Sequence, residues 1–456
     1  METVMEEVLR NDRMVTRVGG KQVLVAVTAS CLGWALDLFD LFVVLFVAPV
    51  IGKLFFPSTN SMLSLAAVYA SFAVTLLMRP LGSAIFGSLA DQRGRKRSMI
   101  ISVVGVGLST AAFGLLPTVQ QAGVVAPILF LMLRLVQGVF VGGVVASTHT
   151  IGTETVNPKY RGAVSGFVGG GGAGLGALLA SLVYLAMSAA FPGSQFEVWG
   201  WRCMFFAGIV SSFLGVFVFN SLEESPVWAT LAAEKRKATP VAARDEQKVV
   251  RSPVRLLFSK QYRAILLVNL LLTIGGGSGY YLTSGFLPTF LKVVNQSPSS
   301  VAGLILIVSS VAVIVASTAA GHLSTIIGRK RSFIWLGVAR LICFPLLFIA
   351  MARTGNVIVI GGCAVLLSAL GSASYAPILI FLNERFPTAI RASGTGLSWN
   401  MGFAIGGMMP TLVSVLARTP ADLPMVLAVC LSAVSVLYLI GAFVIPETRG
   451  NFTHNT

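Results

Sequence analysis

The chain has 456 residues, of which 55% are hydrophobic and 11% charged, with 33 Lys and Arg against 17 Asp and Glu. Soluble domains carry roughly 25% charged residues, so a single water-soluble core is excluded. The formal charge of +16 would suit a nucleic-acid ligand, but the places where the basic residues fall argue for membrane topology instead.

Apolar runs of about 20 residues or more, each able to cross ~30 Å of hydrocarbon as a helix, are predicted at 22–51, 62–90, 97–116, 123–152, 161–189, 200–221, 263–291, 299–327, 332–352, 355–382, 392–416 and 422–446. The fold class is therefore an all-α membrane protein with twelve transmembrane helices. Of the 33 Lys and Arg, 25 fall on the side of the N-terminus, 5 on the opposite side and 3 inside helices. By the positive-inside rule both termini and the loop after the sixth helix are expected in the cytoplasm, with the spans in the cell (inner) membrane. The first run is too long for a signal-peptide core and has no obvious small-residue cleavage site, so it is read as retained. Five cysteines, Cys31, Cys203, Cys343, Cys363 and Cys430, lie in or at the ends of spans with no metal-ligand spacing and no disulfide framework.

The first span contains GWALDLFDLFVV (33–44), with two carboxylates in an apolar run. A carboxylate near the bilayer centre costs at least ~2.5–3.5 kcal/mol on insertion scales. Asp37 and Asp40, at i and i+3, share a helix face that must look into the bundle or a wet cavity. Two coupled acids of this kind exchange protons as a unit, which makes them candidates for proton coupling; a static ion pair between helices is the plainer reading. Arg79, in the second span, is a candidate to balance their charge, because a buried charge needs a partner. Arg134, in the fourth, is a second such candidate, and its planar fork also suits a carboxylate substrate.

The loop after the second span reads GSLADQRGRKRSMI (87–100) and recurs as GHLSTIIGRKRSFI (321–334), identical at eight of fourteen positions. ETVNPKYR (154–161) and ERFPTAIR (384–391) share a second spacing. Two pseudo-symmetric six-helix halves are thus expected at 22–221 and 263–446. The polar loop 222–262 joins them, and terminal segments 1–21 and 447–456 flank them. Parallel repeats of this kind occur in carriers whose halves rock about a midplane site. Gly87 and Gly94 allow close approach and a tight turn, and Asp91 can face a helix N-terminus or a basic partner.

Within the fourth span, His149 sits near the cytoplasmic end, where a solvated histidine is the ordinary expectation. GGGGAGLG (169–176) follows no strand, so it is read as close helix packing and not as a dinucleotide loop. In the second half, GGGSGYYLTSG (275–285) supplies Tyr280, Tyr281 and Thr283. The tenth span adds Ser372, Ser374 and Tyr375, and the eleventh Trp399 and Asn400. Aromatic walls with a few polar groups suit a small ligand, so Tyr280, Tyr281, Tyr375, Trp399 and Asn400 join Arg134 as substrate-binding candidates. Arg340, in the ninth span, is expected to snorkel or to pair locally. No catalytic triad, cysteine cluster or phosphate loop points to an enzyme, and no cofactor or metal is implied.

GSLADQRGRKRSM closely resembles the loop motif between helices 2 and 3 of the major facilitator superfamily, and RLVQGVFVGG (134–143) its helix 4 motif. APVIGKLFFPS, LMRPLGSAIFG, WGWRCMFF, LEESPV and the stretch from ERFPT to GGMMP are similar to the metabolite:proton symporter family. The resemblance implies alternating access and small organic acids or zwitterionic osmolytes as substrates. It also implies that Asp91, Arg95 and Arg161, with Gly87 and Gly94, help to close the cytoplasmic side. The sequence departs from that family at Val144, where a glutamate commonly follows Gly142-Gly143, and this shifts the expected proton work onto Asp37 and Asp40. The combined expectation is a monomeric, proton-coupled importer of a small organic anion. A zwitterion symporter, a proton-antiport exporter and a non-transporting sensor are the alternatives; the lack of a Gly-Pro pair in helix 5 weighs against export.

Overall fold

The computed structural model describes residues 20–93, 95–154, 156–220, 257–386 and 391–449. The expected terminal segments and central loop therefore lie largely outside the described residues. So do Gly94 and the side chains of Gly87, Asp91 and Arg95.

Among the described residues the structure is helical. Twelve long elements are α1 Gly20–Phe46, α2 Ser61–Arg93, α3 Arg95–Phe113, α4 Val125–Glu154, α5 Arg161–Ala190, α6 Trp201–Asn220, α7 Lys260–Val293, α8 Ser299–Ile327, α9 Arg329–Ala352, α10 Val357–Arg385, α11 Gly394–Leu416 and α12 Leu423–Val444. All but α3 are long and apolar enough to cross a membrane on length and composition alone. Large apolar side chains are exposed along their outer faces. Phe213, Phe217 and Trp335, for example, are 73%, 75% and 70% exposed. An apolar exterior of this extent belongs against lipid, since monomeric soluble proteins rarely expose contiguous apolar patches of more than a few hundred Å².

Several elements are interrupted where the sequence places proline. α1 ends at Phe46 and a short helix, Ala48–Phe55, resumes with Pro49 in its first turn. α7 passes through a π-helical turn, Tyr281–Gly285, before Pro288 opens its last segment. Proline has no N–H to donate and is tolerated at a helix start, where that donor would be unpaired anyway. The predicted first span, continuous to residue 51, is therefore two helices.

The packing repeats after six helices. In the first half α1 packs on α5, α2 on α4, and α3 on both α4 and α6; in the second α7 packs on α11, α8 on α10, and α9 on both α10 and α12. The halves meet along α5 with α8 and along α2 with α11, contacts related by the same shift.

Glycines make the α5–α8 approach possible. Gly162, Gly166 and Gly170 lie against Gly321 and Ser317 of α8, and a Cβ on Gly166 would collide with the Ser317 carbonyl oxygen. The expected close packing at 169–176 is observed: Gly172 and Gly176 face α1 backbone, while Gly170 and Gly174 face α8. The same contact closes the face that carries the described ends, Gly20 and Arg449. On the opposite face α2 and α7 are joined by a 2.7 Å hydrogen bond between the Tyr69 and Thr289 hydroxyls.

Candidate functional site

Asp37 and Asp40 are both buried, 3% and 4% exposed. Their spacing puts them on neighbouring parts of one face, yet each has its own basic neighbour. The Asp37 Oδ1 lies 3.7 Å from Arg79 Nη2 of α2, an ion pair too long for a direct hydrogen bond. Asp40 turns into the first half. The Thr110 hydroxyl of α3 donates to Oδ1, and Gln137 Nε2 of α4 donates to Oδ2 at 2.5 Å. Arg134 Nη1 in turn donates to Gln137 Oε1 at 2.7 Å. Its guanidinium lies 4.4 Å from the Phe113 ring centre and 5.2 Å from that of Phe130. Gln137 therefore links the Asp40 carboxylate to the Arg134 cation, and two rings, 4.9 Å apart centre to centre, support the cation from one side. The buried centre carries two acids and two arginines.

The second half faces this centre with aromatic residues. Tyr280, Tyr281, Tyr375, Trp399 and Phe403 pack edge to face or stacked, with Trp399 and Phe403 ring centres 3.8 Å apart. At this centre three ring pairs cross between the halves, Phe42 with Tyr280 at 6.3 Å, Phe72 with Tyr281 at 5.4 Å and Trp34 with Trp399 at 5.8 Å, and nearer the face opposite the described ends Tyr69 stacks on Phe286 at 5.2 Å. Asn400 Nδ2 donates to Ser83 Oγ at 3.1 Å, and Ser83 donates to the Gly142 carbonyl. The structure thus brings Tyr280, Tyr281, Tyr375, Trp399 and Asn400 together along the boundary with α1, α2 and α4. Arg134 stands apart from them, inside the first half. Thr283 and Ser374 donate to carbonyls of their own helices.

Among the described residues, two spaces lie between the halves. The wider, a cavity of about 170 Å³, lies at the face opposite the described ends, where Tyr184, Glu197, Lys292 and Ser299 are among its walls. The smaller, about 20 Å³ in this conformation, lies deeper, against Phe42 and Tyr280. Phe46 and Leu306 border both, so these two side chains form the constriction between vestibule and inner chamber.

Arg340 is fully buried and pairs locally. Its guanidinium donates to the Gly275 carbonyl at 2.7 Å and to Ser435 at 3.2 Å, over the Tyr438 ring. Snorkelling is ruled out by that geometry. His149 is not solvated. It is 3% exposed, with Nε2 3.0 Å from Ser165 of α5 and Nδ1 3.3 Å from Asn383 of α10, because closure of the halves covers the end of α4. Among the gating candidates, Arg161 is buried at the start of α5. The second copy of the loop motif is described in full. Gly328, the repeat mate of Gly94, takes φ +101 and turns the chain between α8 and α9, a backbone conformation open to glycine. Arg329 pairs with Glu384, Nη2 to Oε1 2.9 Å, and Thr448 donates to the same carboxylate at 2.7 Å. Of the inner-chamber hydroxyls the sequence marks Tyr280; Gln137, Thr110 and the chamber serines are, in sequence, polar residues scattered through apolar helices.

Residues 31–410 match the family described as Major Facilitator Superfamily. The chain is 28% identical over 436 residues to the Proline/betaine transporter of Escherichia coli (strain K12), covering 96% of this chain and 86% of that one. It is 28% identical over 426 residues to the Inner membrane metabolite transport protein YhjE of the same organism, covering 92% and 93%. To the Glycine betaine/proline/ectoine/pipecolic acid transporter OusA of Dickeya dadantii (strain 3937) it is 27% identical over 438 residues, covering 95% and 85%. Among solved structures, the proton:xylose symporter XylE bound to 6-bromo-6-deoxy-D-glucose superposes with a TM-score of 0.76 at 16% identity, covering 96% of this chain and 99% of that one. At that identity the match speaks for the fold.

Proposed function

The chain belongs to the Major Facilitator Superfamily and is a multi-pass membrane transporter; from that premise we propose that it takes up a small zwitterion together with protons, by alternating access. The observation that carries the reading is the balanced centre, in which Asp37 stands by Arg79 and Asp40 is tied to Arg134 through Gln137. While both pairs are intact, a substrate of zero net charge enters such a centre without leaving an uncompensated ion in low dielectric, whereas an anion adds one. The organic anion expected from the sequence needed Arg134 open to a carboxylate. That guanidinium instead sits among Gln137, Phe113 and Phe130. The substrates named for the relatives, proline and betaine among them, support the same choice.

Asp37 carries the proton in this scheme. Its pairing with Arg79 is loose, and a carboxylate with one distant partner is readily neutralised and restored. Protonation releases Arg79, the halves rearrange around the loaded site, and loss of the proton on the other side resets the pair. Entry runs from the vestibule past Phe46 and Leu306.

The test is uptake by the purified chain in proteoliposomes, with glycine betaine, proline and succinate as labelled substrates and an imposed pH gradient. Betaine or proline uptake driven by inward proton flow, with succinate at background, is the expected result. Succinate uptake without either zwitterion overturns the reading.

A further inference from the structure

The inner chamber holds an unusual set of polar atoms. Tyr280 and Ser284 of α7, Ser309 of α8 and Ser368 of α10 all border it. All four are at least nine-tenths buried. None of the four hydroxyl oxygens has a hydrogen-bond partner within the protein. The comparison within the same helices is instructive. Thr283, Ser310 and Ser374, which lie next to or near them, return their hydroxyls to carbonyls of their own helix at 2.6 to 2.7 Å. Serine and threonine in an apolar helix ordinarily do this; Ser310 also borders the chamber but is satisfied by its own helix, which leaves these four as the unpartnered hydroxyls among the chamber's walls. A buried hydroxyl left unsatisfied costs roughly 1–3 kcal/mol, and four such groups around one space are a device for binding something polar.

We propose that this quartet, Tyr280, Ser284, Ser309 and Ser368, is the subsite for the carboxylate of the transported zwitterion, an inference that rests on the zwitterion reading above. A carboxylate accepts hydrogen bonds at two oxygens with about four lone-pair sites and donates none. Four hydroxyls, each with one rotatable donor, match that demand. The chamber holds no cation, so the anionic group is recognised by neutral donors, and no buried charge is stranded when the substrate leaves. Apart from Ser310, whose hydroxyl is taken up by its own helix, the other walls are apolar and aromatic, with Phe42 and Phe46 on the α1 side. Phe42 and Tyr280 meet edge to face, 6.3 Å between ring centres, and ring faces attract methylated ammonium groups. The ammonium end therefore lies along α1, which also carries Asp37, and the carboxylate lies against α7, α8 and α10. One substrate then holds both halves, with its negative end on the second and its positive end on the first.

The experiment uses the full chain in proteoliposomes under a pH gradient. Ser309→Ala and Ser368→Ala, singly and together, are compared with wild type, and Tyr280→Phe removes a third hydroxyl without altering shape. Monodispersity and thermal midpoint report folding. The expected result is a KM for glycine betaine raised about tenfold for each hydroxyl removed, with kcat little changed. Choline, a methylated ammonium without a carboxylate, is the control competitor, and its weaker inhibition is expected to be the same in every variant. A betaine KM within about twofold of wild type in the folded double variant and in Tyr280→Phe overturns the subsite, as does an equal loss of choline inhibition. Wild-type protein that takes up neither betaine nor proline overturns the zwitterion reading itself and this subsite with it.

Discussion

Asp37 of α1 and Arg79 of α2 stand 3.7 Å apart, oxygen to nitrogen, each buried and neither hydrogen-bonded to the other. Such a pair holds its charge by proximity alone. Asp37→Asn keeps the shape and fixes the neutral state. Gradient-driven uptake is expected to fall to background while substrate exchange across the membrane at equal pH continues. Arg79→Ala is expected to be worse for the protein, because it strands the carboxylate and costs about 3–5 kcal/mol. Paired measurement of exchange, gradient-driven uptake and thermal midpoint separates the two effects. Full proton-driven uptake in Asp37→Asn would remove Asp37 from the coupling scheme.

Gln137 carries a different burden. Its amide donates to Asp40 and to Thr110, and its carbonyl oxygen accepts from Arg134. Gln137→Leu keeps volume and deletes all three links, leaving a carboxylate and a guanidinium short of partners. Hydrogen bonds to charged groups contribute about 1.5–3 kcal/mol each, so the variant is expected to lose at least ~3 kcal/mol, read as a lowered thermal midpoint. Gln137→Glu supplies a different check: the new carboxylate pairs Arg134 but repels Asp40, so its stability is expected to rise when the pH is lowered. An unchanged midpoint in Gln137→Leu would mean the network is not structural.

Some of this was legible before any coordinates. Twelve helices follow from run length, and the duplicated loop motif announced a six-helix repeat that the packing of α1 to α6 and α7 to α12 reproduces. A charge in hydrocarbon is costly enough to be conspicuous, so Asp37, Asp40, Arg79 and Arg134 could be singled out from the letters. Which acid meets which arginine could not be read, because it depends on helix rotation and on a mediator, Gln137, that no periodicity marks. The chamber serines, unlike Tyr280, are hidden for the opposite reason. Ser309 and Ser310 are adjacent and chemically identical, yet one bonds its own helix and the other does not. His149 read as solvated because distance from the span centre was taken for exposure, whereas closure of α5 and α10 over the end of α4 buries it.

The second copy of the loop motif ends in a buried ion pair, Arg329 with Glu384, to which Thr448 also donates. Arg329 reaches Ser324 and Thr325 of α8 as well, so one side chain ties α8, α9 and α10 together. Removing one member of a buried pair costs about 3–5 kcal/mol. Arg329→Ala and Glu384→Ala are each expected to lose that much, while the double alanine variant loses less than their sum. A double-mutant cycle on thermal midpoints measures the coupling; additive losses would show that the two side chains stabilise the fold independently.

The two faces of the interface between the halves are closed by different chemistry, and this makes opposite perturbations possible. At the face with the described ends, α5 meets α8 through Gly166, and any side chain there strikes the Ser317 carbonyl. Gly166→Leu is expected to hold that face open. At the other face the Tyr69–Thr289 hydrogen bond joins α2 to α7, reinforced by stacking of Tyr69 on Phe286 at 5.2 Å. Tyr69→Phe with Thr289→Val deletes a hydrogen bond worth about 0.5–1.5 kcal/mol while retaining the ring and most of the volume. A shift of that size moves a two-state equilibrium by about threefold to tenfold, so this pair of changes is expected to favour opening towards the vestibule. Spin-label distances across each face read both outcomes. Gly166→Leu lengthens the α5–α8 distance, and the double variant lengthens the α2–α7 distance. In a rocking motion of the two halves, lengthening at one face accompanies shortening at the other, so both distances growing together would contradict it.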